Sequence, residues 1–168
     1  MAIEIERRFL VKDKSIIDGA SHELIVQGYF WSKAGYAARV RRRHHFDERG
    51  NHFEAVATMA LKGPRRGAMR AEFETELDPK FAEDVLQEID HKVTKSRYHV
   101  IDGDLIWDID VFHGDNEGLI IAECEMEHAH EISPPEWCGD EVTDDRRYDN
   151  ENLAERPFRL WGKASVRD

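Results

Sequence analysis

Arg39, Arg41 and Arg43 stand two apart in a segment rich in strand-forming residues, and Glu123, Glu125 and Glu127 do the same further along. Residues two apart on a β-strand point to one face, so each triplet presents a row of like charge. The spacing recurs. Glu4, Glu6 and Arg8 oppose Ile3, Ile5 and Phe9, while Arg70, Glu72, Glu74 and Glu76 oppose Phe73 and Leu77. Lys95 and Arg97 share a face; Asp108 and Asp110 oppose Trp107, Ile109 and Val111; the glutamate row opposes Ala122, Cys124 and Met126. One such strand is the wet face of an antiparallel sheet. Six of them, several with like charges two apart, are poorly explained by solvation, because a solvating surface gains from finer mixing of signs. Carboxylates suit Mg²⁺ or Mn²⁺, and Arg and Lys suit phosphate oxygens. Acid-rich strands beside base-rich strands therefore fit a metal-bound polyanion, such as a triphosphate chain gripped from several sides.

The elements that must hold these rows are mostly strands. Segments 3–11, 23–31, 37–46, 53–62, 68–77, 93–102, 105–113 and 119–127 mix β-branched or aromatic residues with alternating polarity, separated by turn signals such as Asp102-Gly103-Asp104. One helix is predicted from Pro79 to about residue 90, with Asp78 as N-cap and Phe81, Val85, Leu86 and Ile89 as its apolar stripe. Short helices are expected near Asp13 or Ser15 and over Asn150–Glu155. Eight successive antiparallel strands with few helices predict a mainly β (α+β) fold: a sheet closed into a barrel, charged inside, with its apolar faces outward under flanking segments.

The 168 residues, without repeat or linker, predict one domain spanning 1–168. A net charge of −11, from 35 acidic and 24 basic residues, argues against a nucleic-acid partner but allows a basic pocket. The start of the chain has no apolar run resembling a signal or membrane span, and Cys124 and Cys138 are its two cysteines, so a cytoplasmic protein with reduced thiols is expected.

Glu4-Ile5-Glu6-Arg7-Arg8-Phe9-Leu10-Val11 resembles the opening Glu-x-Glu-x-Lys motif of the CYTH domain, the triphosphate tunnel metalloenzymes. The resemblance continues in family order through Gln27-Gly28-Tyr29, Arg39-Val40-Arg41, Lys62-Gly63, Arg70-Ala71-Glu72-Phe73-Glu74, Lys95-Ser96-Arg97-Tyr98, Trp107 to Phe112 and Ala122-Glu123-Cys124-Glu125. Glu141 to Tyr148 and Asn150-Glu151-Asn152-Leu153 resemble the bacterial branch. It implies an eight-stranded antiparallel barrel around a tunnel, needing Mg²⁺ or Mn²⁺. It also implies metal-side roles for Glu4, Glu6, Glu123 and Glu125, with Glu72 and Glu74 nearby and Asp110 as a further lining acid. Arg39, Arg41, Lys62, Arg70 and Arg97 would contact phosphate, as would Arg8, which stands where the family usually has Lys. Lys95 with Tyr29 would be the pair that activates water; a plain phosphate-binding role for Lys95 is equally compatible. The expected reaction is hydrolysis of inorganic triphosphate by a monomer or homodimer, because so compact a chain leaves little room for a large organic group. Adenylate cyclase, thiamine or nucleoside triphosphatase, and a non-catalytic polyphosphate-binding module are the alternatives.

Other features carry less. His128 and His130 lack an evident third ligand for zinc, and they and His44-His45 read as surface histidines. Phe30 and Trp31 read as buried packing. Lys62-Gly63-Pro64-Arg65-Arg66-Gly67 is a basic loop without the spacing of a P-loop.

Overall fold

The eight predicted strand segments pair into one antiparallel sheet in the order Met69–Leu77, His52–Arg66, Tyr36–Phe46, His22–Lys33, Lys92–Asp102, Leu105–Phe112, Ile120–Glu125 and Ala2–Val11, and the first of these pairs back onto the last to close it. The computed structural model describes residues 2–47, 49–127 and 132–162, with Phe53 by its backbone alone; His128 and His130 lie outside the described residues. The strands are β1 (Ala2–Val11), β2 (His22–Lys33), β3 (Tyr36–Phe46), β4 (His52–Arg66), β5 (Met69–Leu77), β6 (Lys92–Asp102), β7 (Leu105–Phe112), β8 (Ile120–Glu125) and a short β9 (Cys138–Glu141); α1 is Pro79–Glu88 and α2 is Asn150–Glu155. The β2–β3 hairpin turns on Ala34 and Gly35, both at positive φ (54° and 83°), the geometry that matches strand twist in a two-residue turn.

Register carries the charge rows around the barrel. Arg97 faces Asp110, Asp108 faces Glu123, Glu123 faces Arg8 and Glu6 faces Glu125. Glu4 faces Arg70, Lys62 faces Glu72, and Tyr29 faces Arg39. Two β-bulges adjust this alternation. In β4 the extra residue at Gly63-Pro64 lets Arg65 face Arg70, putting an odd-numbered residue on the face of Lys62. In β2 the bulge at Phe30 leaves Trp31 opposite Ala38.

The outward apolar faces are covered in two places. α1 begins at Asp78, whose carboxylate accepts from the Phe81 N–H at 2.9 Å, and it packs Ala82 and Leu86 on Val40 and Ala57. Phe81 departs from its expected place: it is exposed, and Ala82 lies on the inner stripe instead. Gly28 lets the helix end approach closely, since a Cβ there would stand 3.0 Å from Ile89 and 3.1 Å from Leu86. On the other side Phe9, Trp107, Ile109 and Cys124 pack under Trp137 and Cys138, with Ile16 and Ile17 of the short 3-10 turn. Both thiols are free and buried. Phe30 and Trp31, expected inside, are half exposed, because the bulge and the hairpin carry them past the end of α1.

The inner face is charged only for part of its length. Val93, Phe112 and Ile121 pack with Val142, Tyr148 and Leu153, so the C-terminal segment floors one end of the barrel. β9 and the residues after it take the edge of β1 left free where β5 ends: Phe9 and Val11 pair with Glu141 and Cys138, and Val142 N–H donates to Arg8 O. Among the described residues no helix is long and apolar enough to cross a membrane.

Candidate active site

Above this floor Glu4, Glu6, Tyr29, Arg39, Arg41, Lys62, Arg70, Glu72, Arg97 and Glu123 converge on one narrow chamber of about 60 Å³. That is room for about two waters. The remaining space is filled by acids and bases paired across the lumen. Lys62 Nζ lies 3.5 Å from Glu4 and 3.6 Å from Glu72; Arg39 lies 2.8 Å from Glu74; Arg97 lies 3.3 Å from Glu123. Beyond Glu4, Glu6, Arg97 and Glu123 the chamber widens into a mouth of about 550 Å³ bounded by Asp108, Glu125, Glu127, Ile3, Ile106 and Met126. That mouth is roomier than the chain's compactness led us to expect, because β8 ends at Glu125 and the β6–β7 hairpin runs on past it.

Three further residues line the chamber that alternation could not identify: Arg65, Asn150 and Glu151. Arg65 reaches it through the β4 bulge and bonds Glu6 at 3.3 Å and Asp149 at 3.2 Å. Gly-Pro inside a basic strand was the available signal for that bulge. Asn150 and Glu151 come from the first turn of α2, and Glu151 pairs with Arg70.

Other expected site residues stand outside the chamber lining. Arg8 is fully buried in the floor, 2.8 Å from Asp149, donating to Tyr148 O at 2.9 Å and Thr143 O at 3.3 Å. Lys95 is likewise buried, with Nζ 2.7 Å from Asp110 and 3.0 Å from Asn150 Oδ1. Its neighbour across the β2–β6 ladder is Ile25; Tyr29 lies four residues further along and its hydroxyl accepts from Gln27 at 2.7 Å, so Lys95 and Tyr29 make no contact. Asp110 is enclosed by Lys95 and by Arg97, which donates to it at 2.8 and 3.0 Å. Glu74 sits at the end of Arg39, and Glu125 is an exposed residue of the mouth.

Electrostatics divide the chamber into two halves. On the acid side, burial and then Glu123 and Glu4 push Glu6 up to about 8. Burial and a hydrogen bond with Glu4 raise Glu72 as well. Burial acts the same way on Glu4, but Lys62 and the hydrogen bonds from Glu72 and Glu6 outweigh it and hold this carboxyl low. Carboxyls crowded in this way are relieved by a hard divalent cation, and oxygen donors are what Mg²⁺ or Mn²⁺ takes. The donor set therefore fits the metal, although among the described residues no three such groups are drawn tightly enough together to hold an ion as they stand. On the basic side, burial with Arg39 and Arg97 alongside pulls Arg41 down to about 9, and its Nε bonds Gln27 rather than a carboxylate. Arg39 Nε is buried without a partner. Burial also raises the Tyr29 hydroxyl well above its ordinary value. Such crowded guanidinium groups are relieved by an anion with several oxygens.

Against known proteins, the chain is 33% identical over 162 residues to an inorganic triphosphatase of Acetivibrio thermocellus, covering 95% of this chain and 97% of that protein. This chain belongs to the CYTH family of triphosphate tunnel enzymes. A second relative, the inorganic triphosphatase of Nitrosomonas europaea, is 34% identical over 158 residues, covering 90% of this chain and 96% of that protein. The crystal structure of an inorganic triphosphatase superposes with a TM-score of 0.63 at 29% identity, covering 92% of this chain and 95% of that one. No family model matches the chain. The closed eight-stranded barrel is the CYTH tunnel, and the paired charges described above line it.

Proposed function

We propose that this protein hydrolyses inorganic triphosphate to pyrophosphate and orthophosphate, aided by Mg²⁺ or Mn²⁺, within the chamber. The observation that carries this reading is the division of one small lumen into a carboxyl half at Glu4, Glu6 and Glu123 and a guanidinium half at Arg39, Arg41 and Arg97. Triphosphatase relatives along nearly the whole chain support it. Glu4, Glu6 and Glu123 would hold the cation, which would supply neutralisation of phosphate oxygens and of the charge developing on the leaving group. The chain's own residues do the rest. Arg39, Lys62 and Arg97 turn from Glu74, Glu4 and Glu123 to phosphate oxygens. Arg41, steadied by Gln27, adds a further guanidinium, and together they hold the chain in line for water. Tyr29, whose hydroxyl keeps its proton, donates a hydrogen bond to one of those oxygens. Water adds to the terminal phosphorus, the bridging P–O bond breaks, pyrophosphate departs with the bridging oxygen, and the proton of the water passes to a product phosphate oxygen and on to solvent. Phosphoryl transfer needs this positioning and charge stabilisation more than it needs a base.

Lys95 fits a positioning role better than that of a base: burial pulls its amine down to about 8, but Nζ is committed to Asp110 and to Asn150 of the chamber wall and does not itself line the chamber. Through Asp110 it fixes Arg97. The width of the mouth favours one second reading, a triphosphate bearing an organic group, such as a nucleotide. The free buried thiols suit a cytoplasmic location. Purified protein should release phosphate from tripolyphosphate much faster than from ATP or thiamine triphosphate, and EDTA should abolish the release. Faster turnover of either organic triphosphate would transfer the assignment to it, and cyclic AMP formed from ATP would indicate a cyclase.

A further inference from the structure

The segment that floors the barrel also forms a second cavity, of about 430 Å³, lined by Arg146, Arg147, Asn152, Glu155, Arg156 and Trp161. None of these residues lines the chamber. We propose that this cavity binds a nucleotide, with the planar base against Trp161 and the phosphate among the arginines. Its volume falls within the roughly 300–1,000 Å³ of small-molecule sites.

The charge of the cavity runs against that of the chain. The net charge is −11, yet three guanidinium groups line this one space and Glu155 is its one acid. Two of the three are held in place. Arg146 donates to Arg65 O at 2.5 Å and lies 3.8 Å from Asp149, while Asn152 Nδ2 donates to Arg146 O at 2.6 Å. Arg147 binds Asp145 through Nε and Nη2, which leaves Nη1 without a partner among the described residues. The third, Arg156, is exposed, and its guanidinium has no partner among the described residues. Held guanidinium groups with open donors lose little freedom when they take a phosphate.

The aromatic wall decides the class of anion. Orthophosphate or pyrophosphate would need the arginines alone. Trp161 is fixed edge-on by Tyr148 and Phe158, with ring centroids at 5.0 and 5.2 Å, and the Arg147 guanidinium carbon lies 5.0 Å from its ring. Its Nε1 donates to Arg156 O at 3.1 Å, so the indole offers its ring rather than its donor. A fixed indole beside a guanidinium plane is what a base stacks on. The basic ground stops at the cavity, because Arg159, the next arginine along, pairs with Asp115 at 2.9 Å. A single nucleotide therefore fits better than a strand.

Isothermal titration calorimetry with AMP in EDTA tests this separately from the triphosphatase reading, because AMP carries no triphosphate and EDTA removes the metal. AMP should bind once per chain with a Kd on the order of 0.1 mM, about tenfold tighter than orthophosphate. The Trp161 indole N–H resonance, identified by its loss in Trp161→Phe, should shift during the titration. Arg156→Glu, a change at an exposed side chain, should weaken AMP about tenfold while the far-ultraviolet circular dichroism stays that of the native barrel. Three results would each overturn the proposal: no binding at millimolar AMP, orthophosphate binding as tightly as AMP, or wild-type affinity in Arg156→Glu.

Discussion

Asp110 is a carboxylate enclosed by two cations, with no exposed surface of its own. Burial alone would raise its pKa, but Arg97 and Lys95 outweigh that and hold it well below the ordinary carboxylate value. A carboxyl depressed in the folded state adds stability above its unfolded pKa and loses it as pH falls toward the folded value. The Asp110 contribution is therefore complete at neutral pH and fades below about pH 4. Asp110→Asn leaves Lys95 and Arg97 without their carboxylate and should cost about 3–5 kcal/mol in urea denaturation. Arg8 belongs to the same class of buried anchor. Lysine there cannot reproduce the fork that binds Asp149, Tyr148 O and Thr143 O together, so Arg8→Lys should lose about 1–3 kcal/mol. The rate of triphosphate cleavage per folded molecule should change less than twofold. A much larger loss of rate at wild-type stability would return Arg8 to the phosphate site.

Elements differ in how much the alternation of residues revealed of them. The eight barrel strands and α1 were legible because period-two charge and the Asp78-Pro79 start are local signals. Arg65 was not, since a single extra residue at Gly63-Pro64 reverses parity and moves it to the inner face. Nor was β9, a four-residue strand defined by its pairing with β1; the helix over Asn150–Glu155 was legible, but its place in the floor was not, since that is set by long-range contacts with the barrel interior. The role of the floor is testable at Leu153, which is fully buried against the inner ends of the barrel strands. Leu153→Ala should cost about 2–5 kcal/mol. That corresponds to a fall in Tm of roughly 5–20 °C for a chain of this size. Because α2 also supplies Asn150 and Glu151 to the chamber, the same variant should raise KM for triphosphate before it lowers kcat.

On the scale of the whole molecule, the chain is acidic, with net charge −11, yet it concentrates arginines in its interior. A triphosphate must pass an acidic mouth to reach them, which a cation travelling with the anion makes easier. The closed barrel and its charged lumen could be read from six strands repeating one charge pattern, and family membership from the ordered motifs that begin at Glu4-Ile5-Glu6. The separation of Lys95 from Tyr29 could not, because it depends on how far β2 and β6 slide along one another. The account rests on the carboxyl half of the lumen holding a cation next to the phosphate chain, and Glu6 is its most enclosed member, 3.3 Å from Arg65 and crowded by Glu123 and Glu4. Glu6→Gln keeps the shape and the hydrogen bond while removing the carboxylate that would face a cation. Its steady-state release of phosphate from tripolyphosphate, measured across Mg²⁺ and Mn²⁺ concentrations, is the most direct test. The account predicts a fall in kcat on the order of a hundredfold and a raised metal requirement in a protein that remains folded; wild-type turnover at wild-type metal concentrations would contradict it.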